Sequence, residues 1–129
     1  MSISRNEEVV GVRDFRELKV WQKAHQLVLR VYPATSSFPA SEAFGITAQM
    51  RKAAVSIPAN IAEGCGRKGD AELARFMQIS MGSASELEYY VLLTRDLGFL
   101  SDPVATEVAA HVVEVKRMLA SFLQKLHPS

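Results

Sequence analysis

The chain has 129 residues, of which 48% are hydrophobic and 22% charged, and its formal net charge is +1. That length predicts one domain with a single hydrophobic core. The charge is unevenly spread, because residues 1–68 hold ten Lys or Arg and six Asp or Glu, whereas residues 69–129 hold five and eight. This split predicts a basic face and an acidic face, which would serve either polyanion binding or head-to-tail packing of subunits.

Cysteine content and hydropathy indicate where the protein works. A single cysteine cannot form an internal disulfide, so a reducing compartment is expected. No early apolar run follows a basic start, and no apolar stretch approaches the ~20 residues of a membrane span. We therefore expect a soluble, cytoplasmic protein with no membrane association.

The chain divides into a polar arm and four segments with helical periodicity. Residues 1–14 show no sustained period and are interpreted as a flexible N-terminal arm, whereas residues 15–129 are interpreted as the folded domain. Apolar residues recur at helical spacing in the remaining chain. The spacing predicts four helices: α1 over 17–35, α2 over 41–66, α3 over 70–98 and α4 over 102–126.

Short connections and the absence of strand-like alternation predict an all-α fold, an antiparallel up-down-up-down four-helix bundle. Pro39 and the pair Ser36 and Ser37 are expected to end α1, and Asp102 followed by Pro103 is typical of a helix start. On α1, the predicted core-facing stripe includes Trp21, His25 and Tyr32. We interpret His25 as a hydrogen-bonded core histidine.

The α2 segment is the predicted centre of the fold, because apolar residues lie on two of its sides at 100° per residue. The large stripe consists of Ile46, Met50, Ala54, Ile57, Ile61 and Cys65. The small stripe consists of Ala48, Val55, Ala59, Ala62 and Gly66. A helix that is apolar on two sides is buried on two sides. The small stripe should therefore be covered by the close approach of another helix or another subunit.

A polar stripe, Ser56, Asn60 and Glu63, lies between the two apolar stripes of α2. We interpret it as structural. Glu63 is spaced to pair with Arg67 at i, i+4, and Asn60 is placed to bond to the backbone near Pro58 or to α3. Buried polar groups of this kind usually serve packing specificity before chemistry.

No residue pattern predicts catalysis, a metal or another cofactor. The paired Glu-x-x-His motifs of di-iron bundles are absent, and the single pair Glu107 and His111 falls short of the several ligands that a metal site requires. Cys65 lies in an apolar stripe, as a buried free cysteine normally does. The glycine-rich stretch 64–69 lacks the Walker pattern. We expect a non-enzymatic protein without a cofactor.

Three stretches of the chain resemble a known family. They read RKAAVSIPANIAEGCGR (51–67), FMQISMGSASELEYYVLLTRDLGFL (76–100) and FRELKVWQKAHQLVLRVY (15–32). They resemble the four-helix-bundle proteins of the 23S rRNA intervening-sequence family, which is related to the accessory variability determinant of diversity-generating retroelements. The likeness covers about residues 15–126. It implies a homo-oligomer, a pentamer with a central channel, and work in a nucleic-acid context.

Basic residues supply the candidate binding surface. Lys19, Lys23 and Arg30 lie on one face of α1, while Arg67 and Lys68 adjoin the start of α3, where backbone N–H groups favour anions. Composition alone favours a solvated charged face. The resemblance instead favours contact with RNA or DNA backbones by charge.

Two functions therefore follow from the sequence. The first is an oligomer that associates with RNA or DNA through this basic surface. Because Trp21 and Tyr32 are predicted to point into the core, the surface lacks stacking residues, and sequence-specific reading of single strands is not expected. The alternative is a protein-binding adaptor or scaffold with no nucleic-acid role.

Overall fold

The computed structural model describes residues 13–126, and the prediction of an all-α four-helix fold is confirmed. The helices are α1 Lys19–Thr35, α2 Ile46–Cys65, α3 Asp70–Asp96 and α4 Asp102–Leu126, and no strand occurs within residues 13–126. The predicted starts of α1 and α2 are two and five residues early. The reason is that short 3-10 turns, Phe15–Glu17 and Ala40–Glu42, precede both helices.

Contacts between side chains establish how the helices are arranged. Each of α1 and α3 packs against both α2 and α4, so the four helices surround one core. On α1, Lys23 and Arg30 contact Glu114 and Glu107 of α4 respectively. Because residue numbers rise along one helix while they fall along the other, α1 and α4 are antiparallel.

The core is built on the large stripe of α2. Ile57 and Ile61 are completely buried, as predicted, and Cys65 is 1% exposed. Opposite them lie buried side chains from the other helices, including Leu27, Met77, Leu87, Val112, Val115 and Leu119. Each helix therefore uses its apolar residues on an inward face. No helix in residues 13–126 is both long enough and apolar enough to cross a membrane.

The helices α2 and α3 approach each other closely, and Gly64 of α2 lies at the seam between them. A Cβ added at Gly64 would lie 2.9 Å from Cβ of Phe76, so only glycine fits there without a shift. Farther along the seam, Oγ of Ser80 donates to the carbonyl oxygen of Ile57 at 2.8 Å. A serine side chain reaches the opposite backbone only when the helices are close. The small residues in the middle of α3 thus allow α2 to pack against it.

The buried face of α1 is rotated from the predicted one. Its fully buried residues are Val20, Ala24, Leu27, Val31 and Thr35. His25 is exposed and Tyr32 is 43% exposed, so the prediction that they face the core is wrong. The rings of His25 and Tyr32 instead lie on the flank of α1, where each contacts a neighbouring side chain. Trp21 stacks on His25 at 5.0 Å, and the guanidinium of Arg51 lies 4.6 Å from the centroid of Tyr32.

The start of the described chain is attached to the bundle. Residues 1–12, most of the predicted flexible arm, lie outside the described residues. At Arg13 the backbone N–H donates to the carbonyl oxygen of Cys65 at 3.1 Å, and the guanidinium pairs with Asp70 at 3.3 Å. The same guanidinium lies over the ring of Phe122. The chain therefore joins the bundle at the end where α2 finishes and α3 begins.

The central position of α2 predicts a large effect of truncating Ile61. Ile61→Ala removes a side chain with no exposed surface and should lower the free energy of unfolding by about 2–5 kcal/mol. The matched control is Ile79→Ala on α3, where the side chain is 40% exposed and the loss should be about 1 kcal/mol or less. Urea unfolding measures both values. Equal midpoints for Ile61→Ala and the parent would contradict the packing described.

Candidate binding surfaces

Two of the predicted binding cations form partly exposed ion pairs with carboxylates of α4. Nζ of Lys23 lies 3.5 Å from Oε1 of Glu114, and the guanidinium of Arg30 pairs with Glu107. The two glutamates are two turns apart on α4, and their partners are two turns apart on α1. The predicted basic face of α1 is therefore half of an α1–α4 charge seam. A phosphate would have to compete with carboxylates that are already in place.

Arg67, a third predicted cation, also forms an ion pair, whereas Lys19 and Lys68 form none with the described residues. Arg67 pairs with Glu63 at 3.1 Å, the i, i+4 contact expected from their spacing, and its guanidinium lies over the ring of Phe76. Lys19 and Lys68 are exposed and form no ion pair within residues 13–126. Among the described residues, three of the five predicted cations are therefore paired and two are not.

The polar stripe of α2 forms a hydrogen-bonded link to α3. Nδ2 of Asn60 donates to the carbonyl oxygen of Ser56 at 2.8 Å and lies 2.9 Å from its Oγ. That hydroxyl lies 2.8 Å from Oγ of Ser83 on α3. The amide and the two hydroxyls satisfy one another across the seam. This arrangement stabilises helix packing and leaves no activated nucleophile.

His111 lies half-buried in the α1–α4 charge seam. Its Nε2 is buried and has no hydrogen-bond partner among the described residues. Burial lowers the pKa of His111 below its usual value, and the positive charges of Arg30 and Lys23 act in the same direction. A hydrogen bond with the Lys23 backbone, whose effect exceeds that of the Lys23 charge, and the charge of Glu114 act in the opposite direction without reversing the shift. The ring is therefore neutral at neutral pH.

The described residues offer little else for chemistry. Cys65 is a buried free thiol, and burial raises its pKa to about 11, so it is protonated and unreactive at neutral pH. Within residues 13–126, no group of three His, Cys, Asp or Glu side chains is arranged to hold a metal ion.

The small stripe of α2 is uncovered in the single chain. Ala48, Ala59 and Gly66 are exposed, and Val55 is 40% exposed. Beside them is a shallow depression whose floor includes Ala62. None of the other helices within residues 13–126 covers this stripe. The surface is apolar, small and flanked by charge, which suits the close approach of a second molecule.

A groove of about 600 Å³ lies between α3 and α4, and the sequence reasoning missed it. Its walls include Tyr89, Leu92 and Arg95 from α3 and Ala105 and Ala109 from α4. Tyr89 is 55% exposed and Leu92 is 46% exposed. The available signal was the alanine pair at i, i+4 on α4, because small residues there leave space beside α3.

The fold and these surfaces define the class of protein, a four-helix bundle with uncovered apolar faces and a charge seam. The model of the 23S rRNA-intervening sequence protein family matches residues 16–121, and the chain belongs to that family. The family resemblance predicted from the sequence is thereby confirmed.

Solved structures support the same fold. One similar structure is a protein of unknown function from the S23 ribosomal protein family of Bacteroides thetaiotaomicron. It is 20% identical, with a TM-score of 0.76, and the match covers 81% of this chain and 95% of that one. At this identity the likeness establishes the fold. Comparison with curated proteins returns no match.

His111 predicts a loss of stability on acidification. Because folding lowers its pKa, the unfolded chain binds the proton more readily, so stability should fall as the pH drops below the usual histidine value of 6.5. Urea unfolding at about pH 7.5 and about pH 5.5 measures this. His111→Gln should weaken the dependence, whereas the control His25→Gln, at an exposed ring, should keep it. An unchanged pH dependence in His111→Gln would contradict the assignment.

Proposed function

We propose that the chain is a non-enzymatic subunit of a homo-oligomer, a pentamer, that acts as a scaffold for a protein partner. One observation carries the proposal: the small apolar stripe of α2 around Val55 and Ala59 is exposed in the single chain. An apolar second face on a central helix is expected to be covered in the working protein. The family resemblance stated from the sequence supports the pentamer.

The engaged charges support a scaffold over direct binding of nucleic acid. Lys23, Arg30 and Arg67 pair with carboxylates of the same chain, so a phosphate would compete with these carboxylates for three of the five cations first predicted to bind it. The protonated, buried Cys65 supports a non-catalytic role, and its being unpaired supports a cytoplasmic location.

Assembly predicts a mass well above that of one chain. Light scattering at micromolar concentration should give a multiple of 14.2 kDa, five times that value for the pentamer. Ala59→Lys places a long charged side chain on the α2 stripe and should lower the mass to 14.2 kDa. The control Ala110→Lys makes the same change at an exposed alanine on α4, diagonally across the bundle, and should leave the mass unchanged. A parent of 14.2 kDa would refute the proposal.

A second candidate function is binding of RNA or DNA backbones, favoured by the start of α3. The N-cap of α3 is Gly69, with φ of 85°, and no side chain caps the first backbone N–H groups. Lys68 precedes it directly and is exposed, which suits an anion. The acidic Asp70 and Glu72 in the first turn oppose this. Useful affinity would therefore require repetition of the site around an oligomer.

The nucleic-acid candidate predicts a salt-dependent affinity that depends on Lys19 and Lys68. Each phosphate neutralised should contribute about −0.9 to the slope of log K against log salt on duplex DNA and about −0.7 on single strands. Lys19→Glu with Lys68→Glu should weaken binding and flatten this slope. The control pair, Lys52→Glu with Arg117→Glu, makes the same charge change at exposed positions elsewhere. If the parent does not bind at low salt, or both pairs behave alike, this candidate fails.

A further inference from the structure

Phe44 is an unusual surface residue. It lies between the turn Ala40–Glu42 and the start of α2, and 98% of its surface is exposed. A phenylalanine side chain has no polar atom that could hydrogen-bond to water. Buried aromatic residues, in contrast, contribute strongly to the binding energy of interfaces. Its exposure makes Phe44 a candidate for contact with another surface at this end of α2.

The α3–α4 groove is a suitable receptor for such a side chain. It is lined largely by apolar groups, with Leu92 on one wall and Ala105 and Ala109 on the other. Its volume of about 600 Å³ leaves room for an aromatic ring. The side chain of Leu92 is 46% exposed, so part of the groove's apolar lining remains in contact with water.

The groove and Phe44 lie at the same level along the bundle but on different edges. Phe44 precedes Ile46, the first residue of α2, at the end of the bundle where α3 finishes and α4 begins. The part of the groove near Arg95 and Ala105 is at that same end. Phe44 belongs to the α1–α2 side, whereas the groove belongs to the α3–α4 side. A second copy placed beside the first in the same orientation would bring its α3–α4 groove next to Phe44 of the first copy.

The charges of the two sides favour that meeting. Residues 1–68, which include α1 and α2, carry ten basic and six acidic side chains, and residues 69–129 carry five and eight. At this end of the bundle Asp102 is exposed, and Asp96 is exposed and pairs with Arg95. On the other side, Lys52 is exposed six residues into α2, and the half-buried Glu42 is the charged residue nearest to Phe44 in sequence. Ion pairs within the chain, such as those of Lys23 and Arg30, offset part of this difference, and the charge separation that remains favours a head-to-tail approach of the α1–α2 side of one copy to the α3–α4 side of the next. Complementary charge of this kind guides orientation and suppresses like-to-like pairing.

We propose that Phe44 of one copy inserts into the α3–α4 groove of the next copy, against Leu92. The inference rests on the proposed homo-oligomer and names the surfaces that join it. The contact is heterologous, since two different surfaces meet, and each subunit carries one of each. Such contacts repeat head to tail and close into a ring when the rotation per subunit permits.

Disulfide capture between variants tests the contact directly. Ala43→Cys, which leaves Phe44 in place, and Leu92→Cys, mixed in equal amounts and oxidised, should give a cross-linked dimer of twice 14.2 kDa, while either variant alone should not. The natural thiol, Cys65, is buried and does not compete. The matched control is Leu29→Cys mixed with Ala43→Cys, because Leu29 is 59% exposed on α1 outside the groove. Cross-linking equal to the control would overturn the proposal.

The mass of Phe44→Ala separates this inference from the proposed function. If the parent is an oligomer and Phe44→Ala falls to 14.2 kDa, the contact is supported. If the parent is an oligomer and the variant keeps the parent's mass, the Phe44 assignment fails while the scaffold proposal stands. If the parent is itself monomeric, both the Phe44 contact and the proposed homo-oligomer are refuted. Because Phe44 has almost no contact with its own chain, the substitution should leave the helix content unchanged by circular dichroism.

Discussion

The close approach of α2 to α3 is the constraint on which the remaining structure depends. Gly64 admits Phe76 without a side chain between them, and Ser80 reaches the backbone of Ile57 across the same seam. Once these two helices are in contact, the large stripe of α2 must face inward. Its small stripe is then left outside, because a helix at the corner of a bundle has one flank that no neighbour reaches.

On the opposite edge of the bundle, ion pairs contribute to the contact between α1 and α4. The α1–α4 seam is held by two ion pairs that are partly open to solvent, so their individual contribution to stability is small. Their larger effect is on orientation and on neighbouring groups. They align α1 with α4 and place two cations beside His111, which disfavours its protonated form. The same carboxylates compete with outside anions for Lys23 and Arg30.

The close α2–α3 packing and the α1–α4 ion pairs together explain why the surfaces available to partners differ from those that a count of charged residues suggests. Basic residues are numerous in the first half of the chain, yet many of them are matched within the fold. Exposed apolar groups, in contrast, include Phe44, the α2 stripe and the lining of the α3–α4 groove. Such groups are more informative about association than exposed charges, which any soluble surface carries.

The sequence by itself determined the number of helices, the approximate bounds of each and the burial of Ile57 and Ile61. These properties follow from the 3.6-residue period and from local start and stop signals, which lie within one segment. It also predicted the i, i+4 pair of Glu63 and Arg67, for the same local reason.

Only the tertiary structure decided which flank of α1 faces the core and which cations are available. Trp21, His25 and Tyr32 share a plausible apolar stripe, but their burial depends on where α2 and α4 lie beside α1. Arg30 meets Glu107 across 77 positions of sequence, a contact that no local spacing encodes. The α3–α4 groove is likewise a property of two helices together, because the space beside Ala105 and Ala109 exists only where α3 passes them.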